Sequence, residues 1–196
     1  MRLLSKEATR DLELIGSFIT CDAGDILFLE QEPLQAVYIV VAGEVRLSLQ
    51  DVNGKRMTVH IAKRGSVLGM SEALSGSPPE WSAEVLYAAR IASIKRGDFL
   101  RFAECHPEIY RIAVTELVRT IRYTSRALRI VGLSSSASKR LASLLLAWGE
   151  QGQTMGDQTR YPLALTHTQI AEFVGTSRET VTRALAAFKE RGLVET

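Results

Sequence analysis

The sequence predicts an α+β chain in three parts: an N-terminal β-roll of the jelly-roll kind, one long helix, and a C-terminal helix-turn-helix. Three observations carry this. Short β-rich runs punctuated by glycine fill the first half. The apolar period changes from two to 3.6 at Gly97. Two helix-start signatures, ten residues apart, lie near the end of the chain. The expected boundaries are residues 1–105 for the roll, 106–133 for the long helix and 134–196 for the helix-turn-helix part.

A short helix comes first, over Lys6–Ile15 behind Ser5 as N-cap. The strand-like runs are Asp25–Leu29, Val37–Val41, Val45–Leu49, Met57–Ile61, Ser82–Leu86 and Arg90–Ile94. Gly24, Gly43, Gly54, Gly65, Gly69 and Gly76 punctuate or flank them, and regular short strands with glycine turns read as a sandwich or jelly roll. Asn53-Gly54 is the strongest hairpin signal among them.

Past Gly97 the pattern is helical, and Pro107 suits the first turn of a helix. Tyr110, Ala113, Leu117, Ile121, Thr124, Leu128 and Val131 are spaced 3, 4, 4, 3, 4 and 3, which is the spacing of a coiled-coil seam. A helix over 107–131 would be roughly 37 Å long at 1.5 Å per residue. It is either a core helix of a monomer or a seam with a second copy. Arg119, Arg122, Arg126 and Arg129 on its other faces suit the second, and the seven spaced residues are then the dimer interface.

Ser134-Ser135-Ser136 reads as a hinge before a helix over Ala137–Glu150, and Gly149 to Gly156 as a polar loop. Thr166-His167-Thr168-Gln169 matches a capping box, and Thr176-Ser177-Arg178-Glu179 matches it again, with Gly175 in the turn between. Ile170 and Val174 would face Val181, Ala184, Leu185 and Phe188. The opposite face of the second helix carries Arg178, Glu179, Thr182 and Arg183. An arginine can grip guanine O6 and N7, and a glutamate can accept from cytosine N4. A carboxylate near phosphates needs a specific donor to read. Read as a surface pair instead, Glu179 and Arg183 sit at i and i+4. The candidate DNA-reading set is Thr168, Thr176, Ser177, Arg178, Glu179, Thr182 and Arg183.

Composition excludes several classes. The 196 residues are 46% hydrophobic and 23% charged, as in a soluble globular protein, not a disordered tail or a collagen-like fibre. The longest apolar runs, such as Ala36 to Ala42, are too short to span a bilayer, and Met1 to Glu7 lacks an apolar signal core, so no membrane partner and a cytoplasmic location are expected. Cys21 and Cys105 cannot build a disulfide framework or a four-thiolate iron–sulfur cluster. Residues 1–105 carry 12 Lys/Arg against 14 Asp/Glu, whereas 106–196 carry 12 against 8. The net +4 of the C-terminal half suits an acidic partner.

With these residues in view, Thr166–Thr196 resembles the helix-turn-helix of the cyclic-AMP receptor/FNR regulators, and Ser177-Arg178-Glu179-Thr180-Val181 is close to the start of their recognition helix. Gly24-Asp25-Ile26-Leu27-Phe28 and Tyr38-Ile39-Val40-Val41-Ala42-Gly43-Glu44-Val45 resemble the strands of the family's cyclic-nucleotide-binding-like effector domain, and the long helix its dimerisation helix. The resemblance implies a homodimeric transcription regulator, activator or repressor, that binds double-stranded DNA at a TGTGA-like palindrome and works with RNA polymerase. It also implies control by a small-molecule effector of unknown identity in the roll. The alternative is a ligand-sensing module acting through protein contacts. The family usually continues into a β-hairpin wing, whereas this sequence stops at Glu195-Thr196, so no wing contact is assigned.

In members that bind cyclic AMP, a Gly-Glu pairs with a later Arg-Ser-Ala. Here Gly69, Gly76, Ser82 and Ala83 fit, but Met70 replaces the glutamate and Trp81 the arginine. Thr124-Ser125 matches the dyad that meets adenine. The candidate effector pocket is therefore Gly69, Met70, Trp81, Ser82, Ala83, Thr124 and Ser125, with cyclic AMP not expected in it. Losing the cation that faces a buried phosphate typically costs several kcal/mol. Haem is not expected either: His60 reads as a strand-surface residue, His106 as a helix cap, and His167 lies in the helix-turn-helix start. No enzyme is expected. Gly69-Met70-Ser71-Glu72-Ala73 lacks the second glycine of a nucleophile elbow, three scattered histidines make no cupin-type metal site, and there is no P-loop.

Overall fold

A computed structural model describes residues 4–133, 136–150, 152–156, 158–161 and 165–195. The chain divides into two compact units, Met1–Leu49 with Val59–Tyr123, and Gln50–Thr58 with Thr124–Thr196.

The first unit opens on α1 (Lys6–Ile15), whose N-cap Ser5 accepts a hydrogen bond from the Ala8 N–H at 3.0 Å. Eight strands follow in the chain: β1 (Ser17–Cys21), β2 (Ile26–Phe28), β3 (Ala36–Ala42), β4 (Val45–Gln50), β5 (Arg56–Ala62), β6 (Val67–Leu68), β7 (Ser82–Val85) and β8 (Ala89–Lys95). Helix α2 (Met70–Ser75) lies between β6 and β7, and α3 (Arg96–Cys105) follows β8. Two sheets, ordered β1-β8-β3-β6 and β2-β7-β4-β5, make the roll. Strands β1 and β6 carried no separate signal in the sequence reading. Strand β1 is short and follows α1 after a single glycine, Gly16; β6 has two residues. At the Asn53-Gly54 turn, the Asp51 carboxylate accepts from the Asn53 and Lys55 N–H groups at 2.9 and 2.8 Å.

Two apolar clusters fill this unit. Ala8, Leu12, Leu34, Val37, Met70, Ile94, Phe99 and Phe102 join the helices to one sheet. Cys21, Val40, Val45, Leu47, Leu68, Ala83, Val85 and Ile91 fill the roll interior. Among the buried polar side chains is Arg46 on β4, paired with Glu84 of β7 at 2.7 Å. Antiparallel β4–β7 pairing sets Arg46 directly across from Glu84.

Helix α4 (Glu108–Leu133) has 26 residues, roughly 39 Å at 1.5 Å per residue. Pro107 stands just before it. In the second unit, α5 (Ala137–Gly149) starts at Ser136, whose hydroxyl accepts from the Lys139 N–H at 3.3 Å. The hinge residues Ser134 and Ser135 lie outside the described residues. The segment expected to be a polar loop contains one strand of a two-stranded hairpin, β9 (Gln153–Met155) with β10 (Gln158–Arg160). Helices α6 (His167–Val174) and α7 (Arg178–Glu190) follow. Among the described residues no helix is long and apolar enough to cross a membrane.

Candidate nucleic-acid interface and effector roll

The capping box at the start of α6 forms as the sequence implied. Thr166 Oγ1 accepts from the Gln169 N–H at 3.2 Å, and Gln169 Oε1 accepts from the Thr166 N–H at 2.8 Å. Gly175 ends the helix with φ +61°, a left-handed conformation that a side chain strains to adopt. The second box does not form: α7 starts one residue later than expected, with a single side-chain cap. Ser177, not Thr176, is the N-cap of α7, accepting from the Thr180 N–H at 3.3 Å; Thr176 instead donates its N–H to the Ala171 carbonyl at 3.1 Å. The turn after Gly175 uses Thr176 to close the first helix, which leaves Ser177 to open the second.

Ile170, Ala171, Phe173 and Val174 of α6 and Val181, Ala184 and Leu185 of α7 are buried, and Phe188 is half-buried. Trp148 of α5 meets Phe173 edge-on at 5.4 Å and stacks on Tyr161 at 6.2 Å. Arg140 of α5 donates from Nε to the Val174 carbonyl at 2.6 Å, closing the end of α6. The sequence reading missed Arg140 and Trp148, because their partners lie 34 and 25 residues away and neither belongs to a local motif.

With that face buried, Ser177, Arg178, Glu179, Thr182 and Arg183 stand exposed together on the other side of α7, and Thr168 is exposed at the start of α6. Thr182 donates its hydroxyl proton to the Arg178 carbonyl at 3.0 Å, so its 2.8 Å contact with His167 Nδ1 is one the imidazole donates. Arg183 reaches Thr180 Oγ1 at 3.4 Å. The Glu179 carboxyl lies below its ordinary value: the helix-start N–H and the Ser177 hydroxyl hold it, and Arg178 and Arg183 add to this. It is therefore a ready acceptor between two cations.

Within the first unit, the candidate effector residues have different surroundings. Met70 is buried in the cluster with Leu12, Phe99 and Ile109, and lines a small cavity walled by apolar side chains such as Leu4, Val37 and Ile112. Gly69 is left-handed, and a Cβ there would come within 2.7 Å of Leu34, so its role is a tight turn. Ser82 Oγ accepts from the Glu30 N–H at 3.1 Å, and Ala83 is buried in the roll interior. Trp81 packs against that interior cluster, at 6.0 Å from the ring of Tyr123. Thr124 and Ser125 are exposed on α4. His60 is not a bare surface residue: it is half-buried, its imidazole stacked on Tyr123 at 4.3 Å. His106 caps α3 and meets Asp11 at 2.9 Å. Arg126 is paired with Glu150 at 3.1 Å. Among the described residues, no three His, Cys, Asp or Glu side chains gather as a metal site.

On α4 five of the seven spaced residues are exposed and two are not. Tyr110, Leu117, Ile121 and Leu128 are exposed, and Val114 and Val118 are exposed beside them. Ala113 is instead buried against the chain's own N-terminal core, and Val131 is half-buried with its Cγ1 3.7 Å from a Cβ built at Gly175.

Residues 139–196 match the Crp-like helix-turn-helix domain, and residues 18–106 match the cyclic nucleotide-binding domain. The nitrogen fixation regulation protein FixK of Bradyrhizobium diazoefficiens is 27% identical over 186 residues, 94% of this chain and 77% of that protein. The CRP-like cAMP-activated global transcriptional regulator of Mycobacterium tuberculosis is 29% identical over 172 residues, covering 87% and 76%. The structure of FixK2 from Bradyrhizobium japonicum superposes with a TM-score of 0.78 at 22% identity, covering 93% of this chain and 88% of that one, and so shares the fold.

Proposed function

Because the chain belongs to the Crp/Fnr family of DNA-binding transcription regulators, we propose that it acts as a homodimer on a TGTGA-like palindrome, with one α7 in each half-site. The observation that carries this is the exposed row Arg178, Glu179, Thr182 and Arg183, opposite the buried Val181, Ala184 and Leu185. Two arginines favour guanines and Glu179 favours a cytosine on the other strand. The exposed Tyr110, Val114, Leu117, Val118, Ile121 and Leu128 supply the seam to a second copy. Half-sites of such a dimer lie about one helical turn, roughly 34–36 Å, apart.

The roll is not a cyclic AMP receptor in this reading. Met70 is turned into the apolar core and Trp81 stands in place of a cation. Nor is it a haem or iron–sulfur domain, given two cysteines and the engaged His60 and His106. The regulator contacts RNA polymerase at its promoters and lacks enzymatic activity. Binding-site selection on random duplex DNA tests the core of this proposal. A palindrome with TGTGA-like arms is expected. Recovery of unrelated sequences, or of none, would overturn it and favour a module that works through protein contacts.

A further inference from the structure

Three half-buried aromatic rings meet against the interior of the roll. Tyr123 of α4 lies face to face with His60 of β5, centroids 4.3 Å apart and planes 3° from parallel. Trp81, just before β7, meets the same ring edge-on at 6.0 Å and 64°. Trp81 and Tyr123 both pack on the interior cluster that includes Val45, Leu47 and Ala83. The phenol oxygen is 2.9 Å from Thr120 Oγ1, one turn back on the same helix. Two rings and a hydroxyl thus engage Tyr123, which is how a bound aromatic ligand is held.

The ring's hydroxyl sits in a burying environment. Burial pushes the Tyr123 hydroxyl up to about 12, and Glu72 and Glu116 push it the same way.

We propose that Tyr123 is the built-in occupant of the roll: its ring fills the interior where a sensing roll would take a ligand, and so holds α4 on the roll without an effector. This rests on reading the first unit as a sensor roll. The consequence is a ligand class. Emptied of Tyr123, the site is bounded by an imidazole face, an indole edge and aliphatic walls, so it takes a neutral phenol-sized ring and not a cyclic nucleotide.

The test uses the full-length Tyr123→Ala protein with p-cresol, the side chain of tyrosine as a free molecule. Two quantities are measured: the midpoint of thermal unfolding and the affinity for the selected palindrome. If loss of the ring leaves a tenth of molecules competent, affinity falls about tenfold. Millimolar p-cresol should raise the unfolding midpoint of the variant, leave that of the wild type unmoved, and restore most of the lost DNA affinity. A variant that unfolds and binds like the wild type would overturn the proposal, and so would a variant that p-cresol does not stabilise.

Should the alanine protein not fold, Tyr123→Phe and Tyr123→Leu decide. Phenylalanine keeps the stack and should keep both readouts near wild type. Leucine keeps much of the bulk without the ring, and matching phenylalanine in both would overturn the proposal. A wild-type protein that selects no palindrome sinks the DNA reading alone, because the thermal arm needs no DNA.

Discussion

In the roll, Arg46 is buried on β4 and lies 2.7 Å from Glu84. On α7, Arg178 and Arg183 are exposed, on a helix anchored from below by Val181, Ala184 and Leu185. The residue type is the same, and the uses are opposite. A guanidinium already neutralised inside the fold has little charge left to offer an anion. One presented on a packed and capped helix keeps its charge and five donors for a partner. A count of arginines therefore marks no binding surface; their burial and prior partners do. The same contrast separates Arg126, engaged by Glu150, from Arg178.

The contrast can be broken most severely at the seam. Ile121→Glu would place a carboxylate from each protomer where the apolar stripe meets its copy, and burying each is costly. The dimer is expected to be lost at micromolar concentration, with binding to a full palindrome falling by about 100-fold or more once the second half-site is no longer tethered. Light scattering that still found a stable dimer would sink the seam. Next in size is Arg46→Ala, which removes the buried end of the pair with Glu84. Removing one partner of a buried pair costs about 3–5 kcal/mol, read by chemical unfolding. The base preference of the folded protein should be unchanged. A shift in preference would mean that Arg46 is no purely internal cation.

A smaller effect appears in alkali. The hydroxyl of Tyr123 is raised from its ordinary value of 10.0 to about 12, so the folded protein keeps a proton that the unfolded chain has lost. The associated stability is complete below pH 10 and declines as pH rises from about 10 toward 12. At 1.36 kcal/mol per unit the full loss is roughly 2–3 kcal/mol. Phenolate absorbance gives the titration directly, and Tyr123→Phe should remove that slope from an alkaline unfolding series.

Arg178→Ala should cost about 1–3 kcal/mol and relax preference at one guanine position. The smallest change is expected at the exposed Lys189, late on α7. Lys189→Ala should weaken all sequences about equally and lower the salt slope by about one phosphate contact. Equal behaviour of these two variants on every sequence would erase the distinction between reading and anchoring.

Much of the helix-turn-helix fold was legible because its signals are local. A capping box needs four residues, and an amphipathic face needs about ten; Thr166, Gln169, Val181 and Ala184 reveal both without any distant partner. The one-residue error at Ser177 arose where two adjacent hydroxyl residues compete to cap the same helix, and only the closure of α6 by Thr176 decided between them. On α4 the helical period was legible, but which of its spaced residues face the chain's own core was not. Ala113 and Val114 are neighbours in sequence, and the pull of the N-terminal core on Ala113 turned Val114 and Val118 outward.

By itself the sequence determined the order of parts, the two capped helix starts and the presence of Met70 and Trp81 in the cassette between β6 and β7. Each follows from residue type and short spacing, which act within a turn or two of chain. Tertiary structure alone decided that Met70 and Trp81, eleven residues apart in one cassette, separate into different cores, and that Trp81 meets Tyr123 of α4, 42 residues later, with His60 on the ring's other contact. Such meetings depend on how sheets and helices pack over tens of residues. An isolated Tyr, Trp or His in the sequence carries no record of the ring it will face.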